Sequence, residues 1–123
     1  MIEINMNNKP KYNLFKNTKY ALSGLFHVLK TENSFKLELL FAIFIIISII
    51  VIDVSFTNKL ILLVTGVLVL IVELLNSAIE NVVDLVTKEY APLAKTAKDI
   101  GSTAVMFCIS LHIICWIMVI LYA

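Results

Sequence analysis

Glycine is scarce in this sequence, and its scarcity removes a class of phosphate-binding chemistry. Only Gly24, Gly66 and Gly101 occur, so neither a Walker A loop nor the glycine loop of protein kinases can be written. Cysteine is limited to Cys108 and Cys115. Both lie inside one apolar stretch, seven residues apart on the same helical face, which excludes a disulfide framework and makes them packing residues. Charge is thin as well: 15% of residues are charged and the formal net charge is +1. With no basic run, a nucleic-acid partner is excluded. Low-complexity tracts and internal repeats are also missing.

What the chain has instead is hydrophobic material, 60% of 123 residues, against about 45–50% in ordinary soluble domains. A water-soluble protein this small lacks the polar surface to cover so much apolar mass. The sequence therefore describes one all-α membrane domain. Residues 1–36 are polar and lysine-rich, with no apolar core followed by a small-residue cleavage site. No signal peptide is expected, and the first apolar segment is expected to stay in the mature protein.

A helix needs about 20 apolar residues to cross a bilayer. Three segments qualify: residues 37–54, 60–86 and 100–123. Residues 1–12 read as a tail. Over residues 13–31 a helical wheel puts Leu14, Ala21, Leu22, Leu25, Val28 and Leu29 on one side. Lys16, Lys19, Tyr20, Ser23, His27 and Lys30 fall on the other, the pattern of an amphipathic helix lying on a membrane surface. A partner-binding helix is the alternative. Lysines precede the first span (Lys9, Lys11, Lys16, Lys19, Lys30, Lys36) and fill the second connection (Lys88, Lys95, Lys98), while Lys59 stands alone opposite. By the positive-inside rule the N-terminus and the loop 87–99 are cytoplasmic.

The second span turns polar in its far half. Ser77, Glu80 and Asp84 lie within about 40° of Glu73 on the wheel, with Asn76 about 60° to one side. Unpaired carboxylates in hydrocarbon are costly and are normally kept for function. A helix simply leaving the membrane accounts for Asp84 but not for Glu73. Counted from Leu60, Glu73 is about 20 Å and Glu80 about 30 Å along the helix, too far apart to share one metal ion. They read as two stations on one path, one reaching lipid and one reaching cytosol. Glu32, after the surface helix, is placed to approach Glu80, and two such carboxylates with substrate phosphates suit Mg²⁺. Lys98 and Asp99 open the third span, where a helix N-terminus favours anions. A small ion or proton transporter, with His112 as a relay to Glu73, is a rival reading. A structural assembly subunit is another, and it leaves Glu73 unexplained.

The stretch "VELLNSAIENVVD" followed by "EYAPLAKTAKDIGSTAV", with "ALSGL" and "TENSFKLE" upstream, resembles the prokaryotic integral-membrane diacylglycerol kinase family. The likeness runs from about Asn17 to Ala123. It implies an ATP-dependent enzyme, a homotrimer of three-span subunits with a surface helix, that phosphorylates diacylglycerol to phosphatidic acid. The setting it implies is the cytoplasmic (inner) membrane of a bacterium, with active sites shared between subunits. By motif, Glu73 matches the catalytic base, with Asn76 beside it in the catalytic set. Glu32 and Glu80 match the carboxylates that bind Mg²⁺. Tyr20, Glu89, Tyr90, Lys98 and Asp99 match nucleotide contacts, Ser102 lines the site, and Ser34, Phe35, Lys36 and Glu38 match lipid-side contacts. The chain departs from the family at Asn13, where an arginine is usual, at Leu22, where a tryptophan is usual, and at Ala91, where a histidine is common. A sister branch is similar to undecaprenol kinase; "VTKEYAPLAK" leans toward it, while "KDIGSTAV" and Glu38 within "FKLE" lean toward diacylglycerol.

Overall fold

The structure, a computed structural model, describes residues 11–123; residues 1–10 of the expected tail, Lys9 among them, lie outside the described part. Four helices follow one another: α1 (Leu14–Thr31), α2 (Asn33–Val51), α3 (Phe56–Val86) and α4 (Pro92–Tyr122). No strand occurs among the described residues. Helices α2, α3 and α4 are each long and apolar enough to cross a membrane.

Local chemistry sets the boundaries. Asn13 caps α1, its side-chain oxygen accepting from the backbone N–H of Phe15 (3.1 Å) and Lys16 (3.3 Å), a device worth about 1 kcal/mol. The position where the family resemblance expects an arginine thus has a structural task here. One extended residue, Glu32 (φ −115°, ψ 106°), separates α1 from α2. The first span is therefore helical from Asn33, earlier than residue 37, and it stops at Val51, leaving Asp53 and Val54 in the connection. Lys59 Nζ donates to the Ile50 carbonyl at 3.1 Å and so caps the end of α2. Ser55 caps α3, accepting from the Asn58 N–H. Helix α4 begins at Pro92, eight residues before the apolar run, because proline is well suited to the first helical turn. Lys98 and Asp99 consequently sit two turns inside α4 rather than at its free N–H groups.

Helix α3 runs unbroken for 31 residues, about 46 Å, and packs along α4. Two glycines permit the approach. A Cβ on Gly66 would stand 3.2 Å from His112 Cε1, and one on Gly101 would stand 2.1 Å from Asn76 Oδ1. At the first of these contacts, Trp116 Nε1 donates to His112 Nε2 at 3.0 Å. Nδ1 therefore carries the ring proton and donates to Thr65 Oγ1 at 2.8 Å; the hydroxyl in turn donates to the Ile61 carbonyl at 2.9 Å. Both ring nitrogens are engaged, one within α4 and one across to α3, so His112 is a packed, hydrogen-bonded residue and not a relay to Glu73. Toward the α2–α3 connection, Ile49, Leu62 and Val119 form the core, with Cys115 and Trp116 against it. Both cysteines are free.

The chain exposes 10061 Å², where a globular monomer of 13.8 kDa exposes about 6,600 Å². Most of its large apolar side chains are among the exposed ones, Phe44, Ile50 and Ile120 for example. Such an exterior faces hydrocarbon or further copies of the chain, and with three spanning helices it makes this a membrane protein. Of α1 only Val28 is buried; Leu14 and Leu22 on the same face are open.

Candidate functional site

The polar stripe of α3 meets its partners in order along the helix. Deepest, Glu73 stands beside Glu38 of α2. Glu38 Oε2 is buried and has no hydrogen-bond partner in the protein. One turn on, the buried Ser77 hydroxyl donates to Glu32 Oε2 at 2.6 Å. This bond explains why Glu32, at the N-cap position of α2, makes no capping bond with its side chain. Asn76 Nδ2 donates to Glu80 Oε1 at 3.3 Å. At the rim Lys98 Nζ bonds Asp84 Oδ1 at 2.6 Å, within reach of the Glu80 charge. Lys95 pairs with Asp99 along α4.

Two concavities flank this row. An apolar groove of about 340 Å³ lies between α2, α3 and α4, with Phe41, Ile45, Leu70 and Ile113 in its walls. Glu38 stands at one end of it and the Ile49–Leu62 contact at the other. A second cavity of about 360 Å³ opens where α3 passes into α4, lined by Asp84, Glu89, Tyr90, Lys98 and Asp99. Its connection is held by Thr87 Oγ1, which accepts from the Glu89 N–H at 3.1 Å. The row of polar side chains from Glu38 to Asp84 thus begins at a hydrocarbon-lined slot and ends at a polar, charged one, which suits a reaction between a lipid and a water-soluble partner.

Of the residues expected at the site, Glu32, Glu38, Glu73, Asn76 and Glu80 form one row, and Glu89, Tyr90, Lys98 and Asp99 share the polar cavity. Ser34, Lys36 and Ser102 are exposed on their helices, whereas Phe35 is buried, 3% exposed. Tyr20 is 68% exposed on α1 and lines neither cavity. Glu32 reaches Ser77 rather than Glu80. Ser77 and Glu80 are three residues apart, about 4.5 Å along the axis of α3, so Glu32 is held one helical turn from Glu80. Each has one oxygen engaged, leaving hard donors on adjacent turns. Two carboxylates completed by phosphate oxygens fit the needs of Mg²⁺. Among the described residues no group of three or more His, Cys, Asp or Glu forms a complete cage, so the phosphates would be needed. Ser77 and Asp84 hold site residues in place without having been assigned a role by motif; their signal was their place on the stripe. Gly101, against Asn76, gave none.

The chain matches the family model described as prokaryotic diacylglycerol kinase over residues 19–120. It is 36% identical over 104 residues to a diacylglycerol kinase of Pseudomonas aeruginosa, covering 85% of each chain. A diacylglycerol kinase of Escherichia coli is 36% identical over 103 residues, 84% of each. An undecaprenol kinase of Bacillus subtilis is 38% identical over 93 residues, 74% of each. A seam of carboxylates between a lipid-facing groove and a polar cavity, on three spanning helices, agrees with these matches: the chain belongs to the prokaryotic diacylglycerol kinase family, enzymes of the lipid kinase type.

Proposed function

We propose that this protein transfers the γ-phosphoryl group of ATP to diacylglycerol, giving phosphatidic acid, at the cytoplasmic face of a bacterial inner membrane. The observation that carries the reading is the row of acids along α3: Glu73 beside Glu38 at the head of the apolar groove, then Glu32 bonded to Ser77 and Glu80 bonded to Asn76. Glu73 takes the proton of the lipid hydroxyl as the oxygen bonds to the γ-phosphorus. The bond from that phosphorus to the bridging oxygen breaks, and ADP leaves. Glu32 and Glu80 would hold Mg²⁺, which supplies charge neutralisation at the β- and γ-phosphates. Lys98, beside Glu89, Tyr90 and Asp99, meets phosphate as a point charge. ATP consumption with and without added diacylglycerol tests the reading: lipid-dependent ADP release supports it, and lipid-independent hydrolysis or none counts against it.

The metal assignment has its own check. Glu80→Gln keeps the bond from Asn76 but loses a charge, so the Mg²⁺ concentration for half-activity should rise several-fold while the KM for lipid stays put. Unchanged Mg²⁺ dependence in both Glu80→Gln and Glu32→Gln removes these two residues from the metal site.

We also infer a homo-oligomer, a trimer by family resemblance, because three helices leave wide apolar faces uncovered. Tyr20, away from both cavities of its own chain, is assigned to a neighbour's nucleotide. Glu32 and Glu73 belong to one seam of one chain. Mixed oligomers of Glu32→Ala and Glu73→Gln subunits should therefore regain no activity; recovery on mixing would put Glu32 in the neighbour's site.

An undecaprenol kinase is the second reading, favoured by the Bacillus subtilis relative. Both substrates are membrane alcohols, and the same seam serves either.

A further inference from the structure

Asn76 carries two features that belong together. Its Nδ2 donates to Glu80 Oε1 at 3.3 Å, while its Oδ1 is buried and accepts no hydrogen bond. Burying an amide oxygen without a donor is costly, so the side chain would be expected to rotate and find one. What holds it is Gly101 on α4. The amide oxygen occupies the place where any other residue would carry its Cβ: that atom would stand 2.1 Å from Oδ1 and 3.3 Å from Asn76 Cγ. Gly101 is buried and inside α4, where glycine weakens a helix relative to alanine. Its backbone needs no left-handed conformation, since no described glycine has a positive φ. The absent side chain is therefore what the site uses.

We infer that Gly101 is a positioning residue acting through Asn76. The notch it leaves in α4 fixes the amide with its oxygen toward the notch and its nitrogen toward Glu80. One Glu80 oxygen is thereby tied, and the other is left pointing for a ligand. The same close approach brings Lys98, one turn earlier on α4, to Asp84 on α3. The inference rests on the assignment of Glu80 to the metal, and its test separates the two.

Gly101→Ala puts a methyl group where the oxygen lies, so Asn76 must turn away and release Glu80. In the full-length enzyme reconstituted in lipid vesicles, kcat should fall about tenfold and the Mg²⁺ concentration for half-activity should rise, with the KM for diacylglycerol unchanged. The Asn76 side-chain amide, observed by NMR in nitrogen-15-labelled protein, should shift in the variant, and its broadening by Mn²⁺ should weaken. That readout needs no turnover. If the kinase or metal assignment fails, Mn²⁺ broadens the amide in neither protein, yet the shift in Gly101→Ala remains. A double-mutant cycle separates positioning from packing: Gly101→Ala should cost nothing further once Asn76→Ala has removed the oxygen. Should Gly101→Ala fail to assemble, the double variant, which has room for the methyl group, should assemble and behave as Asn76→Ala alone. Additive losses, an unshifted Asn76 amide, or a double variant that still does not assemble would each overturn the inference.

Discussion

Glu73→Gln should lower turnover about 10²–10⁴-fold, the range over which a positioned general base acts, while the protein still assembles and binds nucleotide. Glutamine keeps the shape of the side chain and its contact with Glu38, and removes only the capacity to take a proton. The geometry gives no obvious substitute. Ser77 donates its proton to Glu32, Glu80 is about 10 Å further along α3, and the Asp84 carboxylate is bound to Lys98. Glu38 lies beside it but projects from α2, so it inherits the role poorly. Single-turnover transfer from ATP to diacylglycerol is the measurement, because it isolates chemistry from product release. Near-normal transfer by a well-folded Gln variant would remove Glu73 from the mechanism.

The second large effect concerns which lipid is used. Glu38 Oε2 is buried beside Glu73 and takes no hydrogen bond from the protein, which on the proposed reading makes it a polar seat for the substrate headgroup. An ester carbonyl of diacylglycerol can reach it through one shared water that donates to both. A polyprenol offers only its hydroxyl, already committed to Glu73, and would leave the seat unfilled. A hydrogen bond contributes about 0.5–1.5 kcal/mol, so kcat/KM should favour diacylglycerol over a short polyprenol by about 2–10-fold. Glu38→His should shrink that preference. Competition between the two lipids in one vesicle preparation measures the ratio directly. A preference for the polyprenol would keep the kinase and replace its substrate, with the cell-wall lipid carrier cycle as the setting.

The spans were readable because apolar runs mark what lies in hydrocarbon, but they do not mark where a helix begins. Helix α4 starts at Pro92 because its first two turns are polar and lie outside the apolar run, and α2 starts at Asn33 because a single extended residue, Glu32, suffices to turn the chain. The stripe from Glu73 to Asp84 was readable because α3 is one continuous helix, so spacing along the sequence equals position on a face. Contacts between helices were not. That Glu32 meets Ser77 and not Glu80, that Glu38 meets Glu73, and that Gly101 is shaped around Asn76 depend on how α2 and α4 sit against α3. No periodicity within one segment reports that. His112 is the instructive case: an ionisable residue in a span suggests proton movement, and its partners Thr65 and Trp116 make it a tie between helices instead.

The most direct test of the central claim is phosphoryl transfer by the purified protein in vesicles containing diacylglycerol, followed with ATP labelled at the γ-phosphate. The label should appear in phosphatidic acid, in proportion to the diacylglycerol supplied, and should vanish from the lipid in Glu73→Gln. Label released only as inorganic phosphate, or found in lipid equally with Glu73→Gln, would contradict the account.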